Sequence, residues 1–229
     1  MTTAADAVRW IKSHRAELVS RFASSDDHVA DNRPVTVFMA GCPGAGKTEF
    51  SIRLMETFEQ KPVRIDADEI RQIIPGYSGE RASVYQEAAS TGLAKLYDHV
   101  LKKRLNAIID GTFAHDRVAE NVRRSLDKGR TVIIYYLYQD PLVSWDFTRA
   151  REKIEYRNIP LAAFVKAFFK SRENVNRIKQ TFGKQVRLNV VVKDFERGLE
   201  QTHLNVEKVD YYVKNDYTER TLLTRLEEQ

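Results

Sequence analysis

The chain has a single cysteine, Cys42, among 229 residues, so no internal disulfide can form and no oxidising compartment is required. Prolines number six and tryptophans two. No apolar run approaches the roughly 18 residues of a membrane span. The first residues, MTTAADAVRWIKSHRAELV, lack the apolar stretch of about seven residues that a secretory leader needs. There is no run of about five basic residues, no internal repeat and no low-complexity tract. His14, His28, His99, His115 and His203 are scattered without metal-ligand spacing, and no G-x-S-x-G nucleophile elbow occurs. These absences lead us to expect a cytoplasmic protein without disulfide, membrane or zinc chemistry. The net charge of +5 is spread over interleaved acids and bases, which disfavours nucleic acid as a partner.

What is present is an ordinary globular composition, 42% hydrophobic and 30% charged. Apolar, β-branched runs at 35–40, 63–65, 106–110, 132–138 and 186–192 read as strands. They alternate with helical patterns near 47–59, 80–104, 115–128, 141–157 and 161–181. Such alternation predicts an α/β fold with a parallel five-stranded sheet, helices on both faces and right-handed crossovers. A helix over 4–22 and two or three amphipathic helices over 194–229 would flank it. We therefore expect a single domain over 1–229: a helical extension at 1–33, a core at 34–193 and C-terminal helices at 194–229.

The stretch VTVFMAGCPGAGKTEF, residues 35–50, carries G-x-x-x-x-G-K-[ST] as Gly41, Gly46, Lys47 and Thr48. A chance match in a chain this long is on the order of one in a hundred, and here a strand leads in and a helix leads out. Glycines let successive backbone N–H groups turn toward phosphate oxygens, and a helix N-terminus adds its positive end. The expected nucleotide site is Gly41, Cys42, Pro43, Gly44, Ala45, Gly46, Lys47, Thr48 and Glu49. Lys47 would reach the β- and γ-phosphates, and the Thr48 hydroxyl would bind Mg²⁺.

VRIDADEIR, residues 63–71, ends a short strand in Asp66, with Asp68 two residues on. Ligands of open α/β sheets lie beyond the carboxyl ends of the strands, so Asp68 is a candidate general base for an attacking hydroxyl. Asp66 is a candidate metal contact; either acid could instead cap a helix beginning at Glu69. NAIIDGT, 106–112, ends a second strand in Asp110, which could orient a metal-bound water or simply occupy a turn, with Thr112 available to the acceptor. After Pro141, Arg149, Arg151 and Arg157 could fold over the nucleotide, or sit in solvent beside Glu152 and Glu155.

Together, GCPGAGKTE, IDADEIR followed by IPGY, IDGT and an arginine-bearing helix after QDPLVSW resemble the zeta toxin family of toxin–antitoxin kinases over about residues 35–182. The specific block is Asp66, Asp68, Ile70, Arg71, Pro75 and Tyr77. The resemblance implies phosphorylation of a sugar hydroxyl of UDP-N-acetylglucosamine, or a related sugar nucleotide, using ATP or GTP. It implies Asp68 as base, Lys47 in the P-loop, Arg151 and Arg157 as phosphate clamps, and Arg71 with Thr112 in the sugar-nucleotide pocket. Where the family carries Glu-Gly-Thr, this chain has Asp110-Gly111-Thr112. An acid on the preceding helix that helps hold the sugar would be Glu87 or Asp98. By analogy an antitoxin would dock near the N-terminal helix. Two other readings stay open: a polynucleotide 5′-kinase or antibiotic phosphotransferase on the same fold, and a nucleotide-binding switch without kinase activity.

Overall fold

The computed structural model describes residues 3–156, 158–195, 197–214 and 216–229. Its centre is a sheet of β1 (Val35–Ala40), β2 (Val63–Asp66), β3 (Ala107–Asp110), β4 (Thr131–Tyr138), β5 (Val186–Asp194) and β6 (Leu199–His203), in the order β2-β3-β1-β4-β5-β6. The first five strands run parallel, as expected for alternating strands and helices. The sixth corrects the five-stranded expectation: β6 pairs antiparallel with β5, Val190 opposite His203. Its sequence, LEQTH, has neither a β-branched run nor an apolar alternation, and four of its five residues are exposed. Backbone pairing at the sheet edge creates this strand, and side-chain pattern does not announce it.

The central strands are apolar on both faces because helices cover both. Phe38 and Ala40 of β1 pack into a cluster with Ile11 of α1 (Ala4–Ser13), Leu18 of α2 (Arg15–Phe22) and Leu96 and Val100 of α5 (Gln86–Lys103). Val37 and Met39, the alternate positions, face Trp145 of α7 (Pro141–Glu155), Phe164 and Phe168 of α8 (Leu161–Phe182) and Leu222 of α9 (Glu219–Glu227). Period-two alternation on one strand thus feeds two cores. The remaining helices are α3 (Lys47–Met55), α4 (Ala67–Gln72) and α6 (Val118–Leu126).

Three helical expectations change in detail. The helix over 4–22 divides at His14, whose φ of −105° and ψ of 34° leave the α region, and whose ring stacks on Trp10 at 4.4 Å. The segment expected as one helix over 80–104 begins as a 3₁₀ stretch, Gly79–Tyr85, before α5. Among the described residues of 194–229 the structure has one α-helix, α9, after β6 and a short 3₁₀ turn at Val209–Tyr211. Leu222 and Leu226 are buried against the second core, so the leucine stripe there is a packing stripe.

Candidate active site

β1 leads directly into the glycine loop. Gly44 and Gly46 have φ of +74° and +76°, where an L side chain is strained, and a Cβ on Gly44 would collide with the Ser144 carbonyl of α7. The loop backbone is thereby pressed between the sheet and α7. Gly46 caps α3 in the left-handed region, so the first N–H groups of a nine-residue helix open onto the loop. Lys47 Nζ donates to the Cys42 carbonyl at 2.5 Å. Burial pushes the Lys47 ammonium below its ordinary value, partly countered by Asp110 and Asp66.

Beside the loop, β2 and β3 pair so that Asp66 and Asp110 are register partners at the strand ends. Both carboxylates converge on Arg64, a residue the sequence reading passed over. Arg64 Nη2 donates to Asp66 Oδ2 at 2.7 Å and to Asp110 Oδ2 at 2.5 Å, Nε reaches Ser51 Oγ at 3.1 Å, and Nη1 pairs with Glu69. Ser51, one turn into α3, donates to Asp110 Oδ2 at 2.9 Å. One guanidinium, 9% exposed, therefore ties the P-loop helix, β2, β3 and α4 together. A charged residue inside a short apolar strand was the available signal, since such residues are almost never buried without partners.

Asp66 is the N-cap of α4: its Oδ1 accepts from the Asp68 N–H at 2.7 Å. The cap lies two residues earlier than a helix start at Glu69 would place it. Burial first, and then the Asp110 and Asp68 charges, push the Asp66 carboxyl up to about 6 from an ordinary 3.8. A raised folded value means the folded state holds its proton to higher pH. That stabilisation is full below 3.8 and lost as pH rises through about 6. Asparagine caps as well as aspartate, so in metal-free buffer Asp66→Asn should stabilise the fold at pH 7.5 by on the order of 1–3 kcal/mol and change little at pH 4. Thermal unfolding at the two pH values checks this; a variant less stable than wild type at pH 7.5 would reject it.

A cavity of about 1110 Å³ opens above the carboxyl ends of the strands. Its walls hold Pro43 to Glu49 of the expected nucleotide site, while Gly41 and Cys42 lie outside its lining. Asp66, Asp68, Arg71, Asp110, Thr112 and Arg151 all line it. Arg71 pairs with Asp68, its neighbour one turn back on α4, and also with Gln86 at the start of α5. Arg71 is 3% exposed, whereas the Asp68 side chain is 32% exposed toward the cavity it lines. Of the two acids proposed on the preceding helix, neither Glu87 nor Asp98 lines the cavity; Gln86 and Ser90 do. Asp98 is instead paired with Arg124.

Arg151 of α7 lies close enough for its charge to lower the Lys47 ammonium. Arg149 points elsewhere, pairing with Glu152 at 3.0 Å and lying over the Trp145 ring, as a surface arginine would. Arg157 is outside the described residues. His115 lines the cavity, and burial pushes its imidazole below the ordinary value. On the far wall, Lys193 at the end of β5 donates to the Gly46 carbonyl at 3.4 Å and pairs with Glu200 of β6 at 3.5 Å. The unforeseen strand therefore braces the loop.

Among the described residues no helix is long and apolar enough to cross a membrane. In fold the chain is similar to a protein of the PezAT chromosomal toxin–antitoxin system of Streptococcus pneumoniae. Identity is 16%, the TM-score is 0.69, and the match covers 95% of this chain and 93% of that one. It is also similar to a chain of the AvrRxo1-ORF1:AvrRxo1-ORF2 complex with sulphate ions, at 13% identity and a TM-score of 0.62, covering 91% and 70%. A third likeness is to a protein put forward as a kinase from Chloroflexus aurantiacus j-10-fl, at 13% identity and a TM-score of 0.52, covering 86% and 98%. No curated protein matches the chain. The family model of the zeta toxins matches residues 20–212, which span the whole sheet, the glycine loop and both acid-bearing strand ends. The chain therefore belongs to the zeta toxin family and is a phosphotransferase of the kinase type.

Proposed function

We propose that the chain transfers the γ-phosphoryl group of ATP or GTP to a hydroxyl of UDP-N-acetylglucosamine or a related sugar nucleotide, with Asp68 as general base. The observation that carries this reading is that one cavity is lined both by the glycine loop and by Asp68 and Arg71. Donor and acceptor can thus meet in one cavity, which meets the positioning demand of phosphoryl transfer.

In this reading the acceptor oxygen bonds to the γ-phosphorus as its proton passes to Asp68. The bond from that phosphorus to the β-phosphate oxygen breaks, and the nucleoside diphosphate leaves. Lys47 and Arg151 offset the charge that spreads over the transferred group. Arg157 would act with them, as the family resemblance implies. The ion pair from Arg71 orients Asp68, and Arg71, Asp110 and Thr112 flank the acceptor. The Thr48 hydroxyl and the Asp66 carboxylate are the side chains that would hold Mg²⁺, which supplies charge neutralisation to the bound phosphates. Among the described residues no group of three or more metal-binding side chains occurs. That suits Mg²⁺, which takes most of its ligands from phosphate and water.

A nucleic-acid acceptor has little support. Tyr136 is buried in the sheet, Tyr135 packs on Phe50 and Tyr138 packs on Phe168, so none forms a stacking platform for bases. An antitoxin would dock near α1, a location that rests on analogy with the toxin–antitoxin neighbours. Cytoplasmic location is part of the same proposal. The test incubates the purified chain with γ-labelled ATP and a panel of sugar nucleotides, with a 5′-hydroxyl oligonucleotide alongside. Label in a sugar nucleotide is the expected result. Label only in the oligonucleotide, or nowhere, would overturn the reading.

A further inference from the structure

A second cavity, of about 510 Å³, lies at the other ends of the strands. Pro34, Arg104 and Arg130 bring to it the residues that lead into β1, β3 and β4. β1 alone is six residues long, so about 20 Å of sheet separates this cavity from the glycine loop. Five cations line it, Lys102, Arg104, Arg124, Lys128 and Arg130, against two acids, Asp98 and Asp127; 5 − 2 leaves +3. Arg124 pairs with Asp98. Among the described residues Lys102, Arg104, Lys128 and Arg130 make no ion pair.

Arg130 is the telling member. It is 4% exposed, and its nearest hydrogen-bond partners are all neutral. Nε donates to Thr36 Oγ1 at 2.6 Å, and Nη2 donates to the Val35 and Leu105 carbonyls at 2.9 and 2.5 Å. Nη1 is buried and has no acceptor among the described residues. Burial, with Arg104 nearby adding to the effect and Tyr97 and the more distant Asp31 only partly opposing it, pushes this guanidinium down to about 10. A buried charge with unsatisfied N–H groups is costly unless a counter-ion supplies both charge and acceptors. Helix carbonyls do not account for it, because its backbone partners belong to β1 and to the connection into β3.

We propose that this cavity binds a small phosphate-bearing anion, independently of the nucleotide site. A free phosphorylated compound suits it better than a nucleic acid. Among the described residues no aromatic side chain lines the cavity for bases to stack on, and Asp98 and Asp127 interrupt any basic track.

The test titrates inorganic pyrophosphate into the full chain by calorimetry. Arg130 is deeply buried and its replacement could prevent folding, so the test uses Arg104→Gln/Lys128→Gln, together with Lys47→Ala at the glycine loop. Wild type should show two sites. Lys47→Ala should keep one of them. Arg104→Gln/Lys128→Gln should weaken that site at least tenfold while still unfolding in one cooperative transition, although it loses the Arg104 hydrogen bonds to the Asp31 and Asn32 carbonyls. No saturable site in Lys47→Ala, or two unaltered sites in Arg104→Gln/Lys128→Gln, would overturn the proposal. So would a 5′-phosphorylated oligonucleotide that binds Lys47→Ala more tightly than pyrophosphate does.

Discussion

Replacing Asp68 with asparagine is expected to slow phosphoryl transfer by roughly 10²–10⁴-fold while leaving nucleotide binding and folding near wild type. A positioned general base contributes about that factor, equivalent to about 3–5 kcal/mol of barrier. Asparagine keeps the volume of the side chain and an acceptor for Arg71, which is buried and would be left uncompensated by alanine. The measurement is single-turnover transfer to the sugar nucleotide found active with wild type, with ATP affinity measured in parallel. Lys47→Ala provides the contrast: it should weaken nucleotide affinity as well as the rate. An Asp68→Asn protein that transfers at the wild-type rate would remove the general base from the scheme. A cellular effect that survives this substitution would favour a nucleotide-dependent switch.

Arg64→Met is expected to have the largest effect on stability. The substitution takes one positive charge from the midst of Asp66, Asp110 and Glu69, and leaves Asp110, with a side chain 4% exposed, without its ionic partner. Breaking a buried ion pair from one side costs about 3–5 kcal/mol, a large share of the roughly 5–15 kcal/mol that holds a typical domain together. The loss should be smaller at pH 4.5 than at pH 7.5, because the Asp66 carboxyl, pushed up to about 6, carries a proton at the lower pH and needs no cation there. Arg64→Lys should recover only part of the loss, since an ammonium cannot span four partners with a planar fork. Urea unfolding at both pH values is the check. A loss below about 1 kcal/mol for Arg64→Met would mean that the acids are held by something else.

The glycine loop could be read from the sequence because every signal for it is local. Its motif spans eight residues, an apolar strand precedes it, and the helical spacing resumes at Lys47. The strand ends at Asp66 and Asp110 were equally local. Their meeting on Arg64 was not, since Arg64 and Asp110 are 46 residues apart and only the β2–β3 register brings them together. β6 was illegible for a related reason. Its polar sequence becomes a strand through hydrogen bonds to β5, and pairing partners leave no periodic mark when both faces of an edge strand are solvated. Lys193 and Glu200, which brace the loop from that edge, were hidden with it. In the helix α7, local sequence could not separate Arg149 from Arg151. Two positions of helical rotation turn one to solvent and the other to the cavity.

The burial of Cys42 has a practical consequence. Its thiol is 3% exposed within the second core, and burial pushes its ionisation to higher pH, so the reactive thiolate is scarce while the loop is closed. A maleimide or disulfide reagent must wait for the segment around Gly41 to open. The rate of labelling then becomes a clock for opening of the nucleotide cradle, with no engineered probe and no competing thiol. Adding nucleotide should slow that clock in proportion to occupancy. A labelling rate unchanged by saturating ATP would mean that the loop opens as readily full as empty.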